Sequence, residues 1–279
     1  MSERERYPGG VPCWVETLQP DPQAALDFYG PLFGWEFAGP GPMPGDPPGQ
    51  YFVAQVRGRD VAGIGSLPEP GDGPATAWST YVRVESADEA AERAREGGGR
   101  VLAGPLDVHP AGRMAVAADP AGASFGVWEA RSREGAQVIN ESSAWSMSML
   151  HTTDPEEAAT FYAAMFGWQA EPFGPPEAQL SLWRLPGYVG GEPHQPVPRD
   201  VVAVLAGEGG EGSPGDGPPG AGSPHWSVDF WVDDTDLTAA HAKELGGVVV
   251  VAPHDTPGFR SAVIADPQGA IFSINALAG

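Results

Sequence analysis

The chain has 279 residues, enough for two domains that each bury a core, and it sets 37 acidic against 15 basic residues for a formal net charge of −22. Such a surface repels nucleic acid and anionic membranes, so neither is expected as a partner. Cys13 is the only cysteine, which excludes an intramolecular disulfide and a thiolate metal cluster; with no long apolar run and no signal-peptide pattern at residues 1–6, the expected location is cytoplasmic.

Residues 1–10 read as a flexible lead. Val11 to Leu18 alternates as a strand, and Asp21 then opens a helix that ends at Gly34 before Trp35. Asp can cap free backbone N–H groups, and Pro at the first helical position gives up no needed donor. A Gly/Pro loop is expected over 39–49, followed by a hairpin of Tyr51 to Arg57 and Val61 to Ser66, and by a linker over 68–74. The pattern then restarts. Ala77 to Val84 is a strand, and Ser86 caps a helix over about 87–96. Gly97 to Gly99 ends that helix, and three strands lie near 101–102, 113–118 and 124–130.

The second half repeats the first. Asp21–Trp35 and Asp154–Trp168 are identical at eight of 15 positions, with a constant offset of 133. Asp119-Pro-Ala-Gly-Ala123 matches Asp266-Pro-Gln-Gly-Ala270, both tight turns into a final strand. Two segments matching in the same order argue for internal duplication. Strands are expected at 144–150, 168–170, 180–185, 201–206, 225–232, 248–251, 260–264 and 270–275, with helices after Asp154 and over about 236–245. The Gly/Pro/Ser/Glu stretch from 207 to 223 reads as a flexible loop. The domains are placed at 11–130 and 143–279, with 131–142 as linker.

Four strand-helix-three-strand modules, each pair marked by Phe-Tyr before a Phe-Gly-Trp helix end and by Asp-Pro-x-Gly-Ala before the last strand, resemble the vicinal oxygen chelate superfamily. This is the glyoxalase, bleomycin-resistance and extradiol-dioxygenase group, and the tandem actinobacterial type is the most similar. The resemblance implies an α+β fold of four βαβββ modules paired into two glyoxalase-like domains, each curled around one cavity. It also implies where a metal would be held, on the inward face of first and last strands by His, Gln or Glu. Those positions fall here on Trp14, Ser79, Gly126, Met147, Ser227 and Ser273. None is a normal ligand for a divalent ion, so neither a metal nor any other cofactor is expected.

Residues two apart on a strand share a face. In the first domain Trp14 and Glu16 should point inward with Ser79, Tyr81 and Arg83, and with Gly126 and Trp128. In the second, Met147, Met149 and His151 should share a face with His225, Ser227, Asp229 and Trp231, and with Ser273 and Asn275. A carboxylate among Trp residues has a raised proton affinity and suits acid–base work, so Glu16, Tyr81 and Arg83 form one candidate catalytic set. The bland alternative is a Glu16–Arg83 ion pair at the barrel mouth. His225 and Asp229 form the other set, with Asp229 orienting the imidazole, although four residues of extended strand separate them. The remaining inward residues are the expected substrate-binding wall, an aromatic surface suited to a polycyclic ligand. Cys13 should point away from the cavity, and His151 reads as a loop residue.

The expected function is a metal-independent enzyme acting on a hydrophobic aromatic small molecule, of the kind a polyketide pathway makes, by acid–base assisted cyclisation, dehydration or isomerisation. One alternative is an antibiotic-binding protein that confers resistance by sequestration. Another is a metal-dependent lyase or dioxygenase with displaced ligands. A monomer or a homodimer is expected.

Overall fold

The computed structural model describes residues 5–43, 48–67, 76–174, 180–190, 199–206 and 223–278. The first module runs β1 (Pro12–Gln19), α1 (Pro22–Phe33), β2 (Glu36–Met43), β3 (Gly49–Val56) and β4 (Arg59–Ser66). The second runs β5 (Trp78–Arg83), α2 (Ala87–Glu96), β6 (Arg100–Val108), β7 (Gly112–Ala118) and β8 (Ser124–Ala130). The third is β9 (Trp145–His151), α3 (Pro155–Phe166), β10 (Gln169–Phe173), β11 (Leu180–Arg184) and β12 (Val201–Ala206). The fourth is β13 (His225–Trp231), α4 (Thr235–Glu244), β14 (Val248–Thr256), β15 (Phe259–Ala265) and β16 (Ile271–Leu277). This is the α+β arrangement of four βαβββ modules expected from the sequence.

The helix ends follow the local chemistry. Asp21 and Asp154 accept from the backbone N–H of Ala24 and Glu157, at 3.1 and 2.9 Å. Gly34 and Gly167 close α1 and α3 at φ 68° and 77°, a left-handed conformation that costs glycine little. Ser86 caps α2 at Glu89, and Arg113 and Arg260 brace the first turns of α2 and α4 through paired bonds to Asp88 and Asp236.

Each half forms one eight-stranded sheet, ordered β2-β3-β4-β1-β5-β8-β7-β6 and β10-β11-β12-β9-β13-β16-β15-β14. The modules join through antiparallel pairs at the sheet centres, β1 with β5 and β9 with β13. One face of each sheet carries helices. These two faces meet, with α1 and α3 between them: Phe33 of α1 packs on Phe230 and Phe272 of the second sheet, and Phe161, Tyr162 and Phe166 of α3 pack on Phe125 of the first. The other face of each sheet carries the expected site residues, so the two candidate sites point away from each other.

The two repeated motifs bind each other across the halves. Asp266 in the turn before β16 accepts from Tyr29 of α1 (2.9 Å) and from buried Gln19 (2.8 Å), while Trp78 Nε1 donates to the Tyr29 hydroxyl (3.0 Å). The mirror arrangement has Tyr162 donating to Asp119 at 3.2 Å and Trp226 Nε1 to Tyr162 at 2.9 Å. The other oxygen of each aspartate accepts backbone N–H groups within its own turn. Burial and the neighbouring Asp266 push the Tyr29 phenol well up, so it remains a donor. Tyr29→Phe leaves Trp78 and the Asp266 carboxylate each short of a partner in the interior. It should cost about 2–3 kcal/mol, read as a lower urea midpoint; an unchanged midpoint would show that the Tyr29 bonds contribute nothing net.

Three expectations need correction. Residues 7–10 are part of the packed molecule: Tyr7 is buried and donates to the Ala136 carbonyl, and Trp168 Nε1 donates to the Gly10 carbonyl. The Gly/Pro run expected as a loop over 39–49 instead extends β2 to Met43, because β3 supplies backbone partners through Gly41, Pro42 and Met43 across a bulge. Likewise β6 and β14 run on to Val108 and Thr256, where β7 and β15 pair with them. The expected linker at 68–74 and, except for residue 223, the flexible loop at 207–223 lie outside the described residues. Among the described residues, no helix is long and apolar enough to cross a membrane.

Candidate functional site

In the first half, alternation places Trp14, Glu16, Ser79, Tyr81 and Gly126 on one face, and the register brings Glu16 opposite Ser79 and Gly63, and Tyr81 opposite Trp14 and Gly126. The Glu16 carboxyl is fully engaged. Tyr81 donates to Oε1 at 2.7 Å, Tyr51 donates to Oε2 at 2.6 Å, and Trp14 Nε1 donates to the Tyr51 hydroxyl at 2.9 Å. Burial pushes the Glu16 carboxyl up, against the pull of these donors, and burial together with the Glu16 charge pushes both phenols well up. Glycines make the room: a Cβ at Gly63 would run into the Tyr51 phenol, and one at Gly126 into the Tyr81 ring. The segment after β8 folds back over Trp14. The Arg133 guanidinium lies 6.0 Å over the Trp14 ring and pairs with Asp60 at 2.8 Å, and the Arg133 carbonyl accepts from Trp128 Nε1.

The structure corrects one pairing here. Arg83 does not meet Glu16; its guanidinium turns to the Val84 carbonyl and lies 3.9 Å from Glu85. The phenols of Tyr51 and Tyr81 take the place of that ion pair. Tyr51 was not foreseen, because its partner Glu16 lies 35 residues away on a strand that reaches it only through β4. The signal was present as period-two alternation in β3 and as Gly63 and Gly65 facing it across the hairpin. Cys13 is buried on the opposite side of β1, its thiol pushed up by desolvation, which leaves it a poor nucleophile.

In the second half, β9 and β13 run antiparallel with His151 opposite His225, Met149 opposite Ser227 and Met147 opposite Asp229. The parallel pair β13–β16 sets Asp229 opposite Ser273 and Trp231 opposite Asn275. Asp229 is partly open to water, as are Met147, Met149 and Trp231 beside it, yet desolvation of its carboxyl by the surrounding side chains pushes it up to about 7 even though Ser273 and Asn275 hydrogen-bond it. Asn275 is itself oriented by the Ser261 hydroxyl, 2.6 Å from its Oδ1. Trp231 packs on Phe259, extending the apolar wall.

The expected His225–Asp229 acid–base pair does not form. The strand holds the two apart; His225 stacks on His151 with ring centroids 4.6 Å apart, and its Nδ1 donates to the Ser223 carbonyl. His151, read from sequence as a loop residue, is instead the last residue of β9, with Nε2 3.0 Å from Ser227 Oγ. Burial and the facing His225 lower its imidazole to about 4, so it is neutral at physiological pH. The loop reading fails because the strand runs one residue further than expected, and Thr152, not His151, is the first residue outside it.

The two halves are not chemical copies. Glu16 of the first corresponds to Met149 of the second, and Tyr81 corresponds to Asp229. One face is filled by its own tyrosines and the other presents a carboxyl beside apolar side chains. A divalent ion does not fit either donor set. Both Glu16 oxygens are taken by phenols, Asp229 is met by Ser273 and Asn275, and among the described residues no three His, Cys, Asp or Glu groups stand together to hold a metal.

Residues 14–127 match the family described as the glyoxalase/bleomycin resistance protein/dioxygenase superfamily, and residues 147–275 match a glyoxalase-like domain family. The chain is 36% identical over 277 residues to a putative glyoxylase, CFP32, of Mycobacterium bovis, covering 98% of this chain and 97% of that protein. It is 35% identical over 282 residues to the anthracycline biosynthesis protein DnrV of Streptomyces peucetius, covering 96% and 94%. Among solved structures, it resembles the Mn(II)-bound glyoxalase from Novosphingobium aromaticivorans at TM-score 0.60 and 15% identity, over 96% of this chain and 82% of that one. The 2,3-dioxygenase LapB from Pseudomonas sp. KL28 has the same TM-score at 11% identity, over 97% and 94%. These last two likenesses speak for the fold alone. With two matched domains in tandem and relatives alike over nearly their whole length, the chain belongs to the glyoxalase/bleomycin resistance protein/dioxygenase superfamily, the vicinal oxygen chelate group.

Proposed function

We propose that this protein is a metal-independent acid–base enzyme that works on a hydrophobic aromatic small molecule of the polyketide type, with the chemistry on the inner face of the second half. The observation that carries the reading is Asp229, a desolvated carboxyl held near 7 beside Met147, Met149 and Trp231. A group that titrates near the working pH is present in both forms, so it can take a proton in one step and return it in the next. Thioether and indole surfaces suit a flat apolar ring system, and Ser273, Asn275 and Ser227 supply the few polar contacts that orient it. Similarity to an anthracycline biosynthesis protein over most of both chains supports a place in natural-product assembly. The reaction class is proton transfer coupled to isomerisation, ring closure or loss of water.

The first half serves as scaffold in this reading. Glu16 was a candidate for catalysis, yet both of its oxygens are occupied by phenols of its own sheet, which also fill the space a ligand would take.

Chelator-treated full-length protein incubated with a panel of aromatic polyketides, followed by mass and absorbance analysis, tests the reading. A product isomeric with its substrate, or lighter by one water, is expected, and it should not form with Asp229→Asn. Turnover that appears only when a divalent metal is restored would overturn metal independence. A ligand that binds tightly and returns unchanged would instead assign the protein to sequestration.

A further inference from the structure

In the second half Ser227 is joined by a hydrogen bond to a histidine of the neighbouring strand. Ser227 lies two residues before Asp229 on the same face of β13, about 6–7 Å away along the strand. It is buried, and its Oγ sits 3.0 Å from His151 Nε2, while its own proton points to the Met149 carbonyl at a long 3.4 Å. His151 is fixed from two sides: it ends β9 opposite His225, and the His225 ring stacks on it at an interplanar angle of 13°. His225 is itself anchored through Nδ1 to the Ser223 carbonyl at 2.8 Å. The groups facing His151 that can carry charge are His225 and, further along the strand, Asp229; β12 presents Val204, Leu205 and Ala206 beside β9.

We propose that Ser227 is the oxyanion donor of this site and His151 its positioning residue: His151 Nε2–H donates a hydrogen bond to Ser227 Oγ, keeping its own proton, which leaves the hydroxyl free to donate to a substrate carbonyl oxygen. This rests on the reading of Asp229 as the proton-transfer group and names the substrate class, an aromatic ketone or quinone with an acidic C–H next to its carbonyl. The Asp229 carboxylate takes the proton from that carbon as the C–H bond breaks. The electron pair moves through the C–C bond to the carbonyl oxygen, giving an enolate whose charge Ser227 stabilises. Asp229 then returns the proton to a different atom of the ring system, so the product is an isomer and no oxidant or reductant is needed.

The spacing suits the task. A carboxylate and a hydroxyl carried by residues about 6–7 Å apart along a strand can each reach one end of an H–C–C=O unit at hydrogen-bond distance. A neutral imidazole is the right support, since an N–H donor strengthens the hydroxyl it donates to without placing a full charge in the pocket. His151 is held neutral by burial and by His225. A donor chain that is in place before the reaction costs no reorganisation when the charge develops.

Substituted 2-naphthols of graded acidity imitate the enolate, and their affinity can be read by fluorescence titration on the full chain. In Asp229→Asn, which removes the repelling carboxylate, affinity should rise as the naphthol becomes more acidic, with the bound ligand shifting toward the naphtholate spectrum. Adding Ser227→Ala should cost about tenfold or more for the most acidic naphthols and flatten that dependence. His151→Leu should do the same to a lesser degree, while His151→Gln, which keeps an N–H donor, should restore most of it. If Ser227→Ala leaves both the affinity and its dependence on acidity unchanged, Ser227 is not the oxyanion donor. If no naphthol binds to Asp229→Asn at all, the aromatic site in the second half is wrong, and this inference falls with it.

Discussion

Asp229→Asn should sharply lower turnover and at the same time make the protein more stable above neutral pH. Burial holds the Asp229 carboxyl at about 7, against an ordinary value of 3.8. In the unfolded chain it ionises first, so the unfolded state gains on the native state as pH rises from about 4 to about 7. Below that window both states are protonated and the group costs nothing; above it the full penalty is present. Asn keeps the hydrogen-bonding shape and removes the charge. The expected gain at pH 8 is on the order of 2–4 kcal/mol, reduced from the full shift because the site face is partly open to water. It should vanish below pH 4. The loss in kcat should reach about 10²–10⁴-fold, the usual contribution of a positioned acid–base group. Urea midpoints across pH 4–8 and single-turnover assays check the two halves of this expectation. A carboxylate kept for stability would show the reverse, with the variant weaker at pH 8. Gain of stability with loss of activity is the mark of a residue retained for function at a structural cost.

Gly126→Ala should behave in the opposite way, costing stability while sparing turnover. A Cβ there would enter the Tyr81 ring, which must move and give up its 2.7 Å bond to Glu16. Overpacking together with a buried carboxyl left one donor short should cost about 2–4 kcal/mol. At a temperature where the variant remains folded, kcat and KM should match the parent, because the proposed reacting groups lie on the other sheet. A folded variant with altered KM would show that the first half also takes substrate, and Glu16, Tyr51 and Tyr81 would return as site residues.

The asymmetry explains how one duplicated scaffold can hold two different faces. The helix-side residues, Tyr29 with Asp266 and Tyr162 with Asp119, are tied into the contact between the halves, so a change on one side breaks a bond on the other. Among the described residues, the opposite faces carry no such mutual constraint. Trp14, Glu16 and Tyr81 in one half stand where Met147, Met149 and Asp229 stand in the other, within the same strand order.

Much of this was legible in the amino-acid order. The repeated Asp-Pro and Phe-Gly-Trp segments located α1 and α3 because helix caps are local: an Asp side chain, a Pro at the first position and a Gly that accepts positive φ act within a few residues of each other. Period-two alternation assigned Glu16, Tyr81, Ser227, Asp229, Ser273 and Asn275 to common faces for the same reason. Only the tertiary structure decided which of these meet. That Tyr51 rather than Arg83 holds Glu16, that His151 reaches Ser227 while His225 stacks behind it, and that Asp229 answers to Ser273 and Asn275, all depend on strand order and register between segments far apart in the chain. So does the pairing of each Asp-Pro turn with the tyrosine of the opposite half. Alternation fixes the side of a sheet a residue occupies; the neighbour it finds there is set by pairing between distant strands, and side-chain reach then determines which hydrogen bonds close.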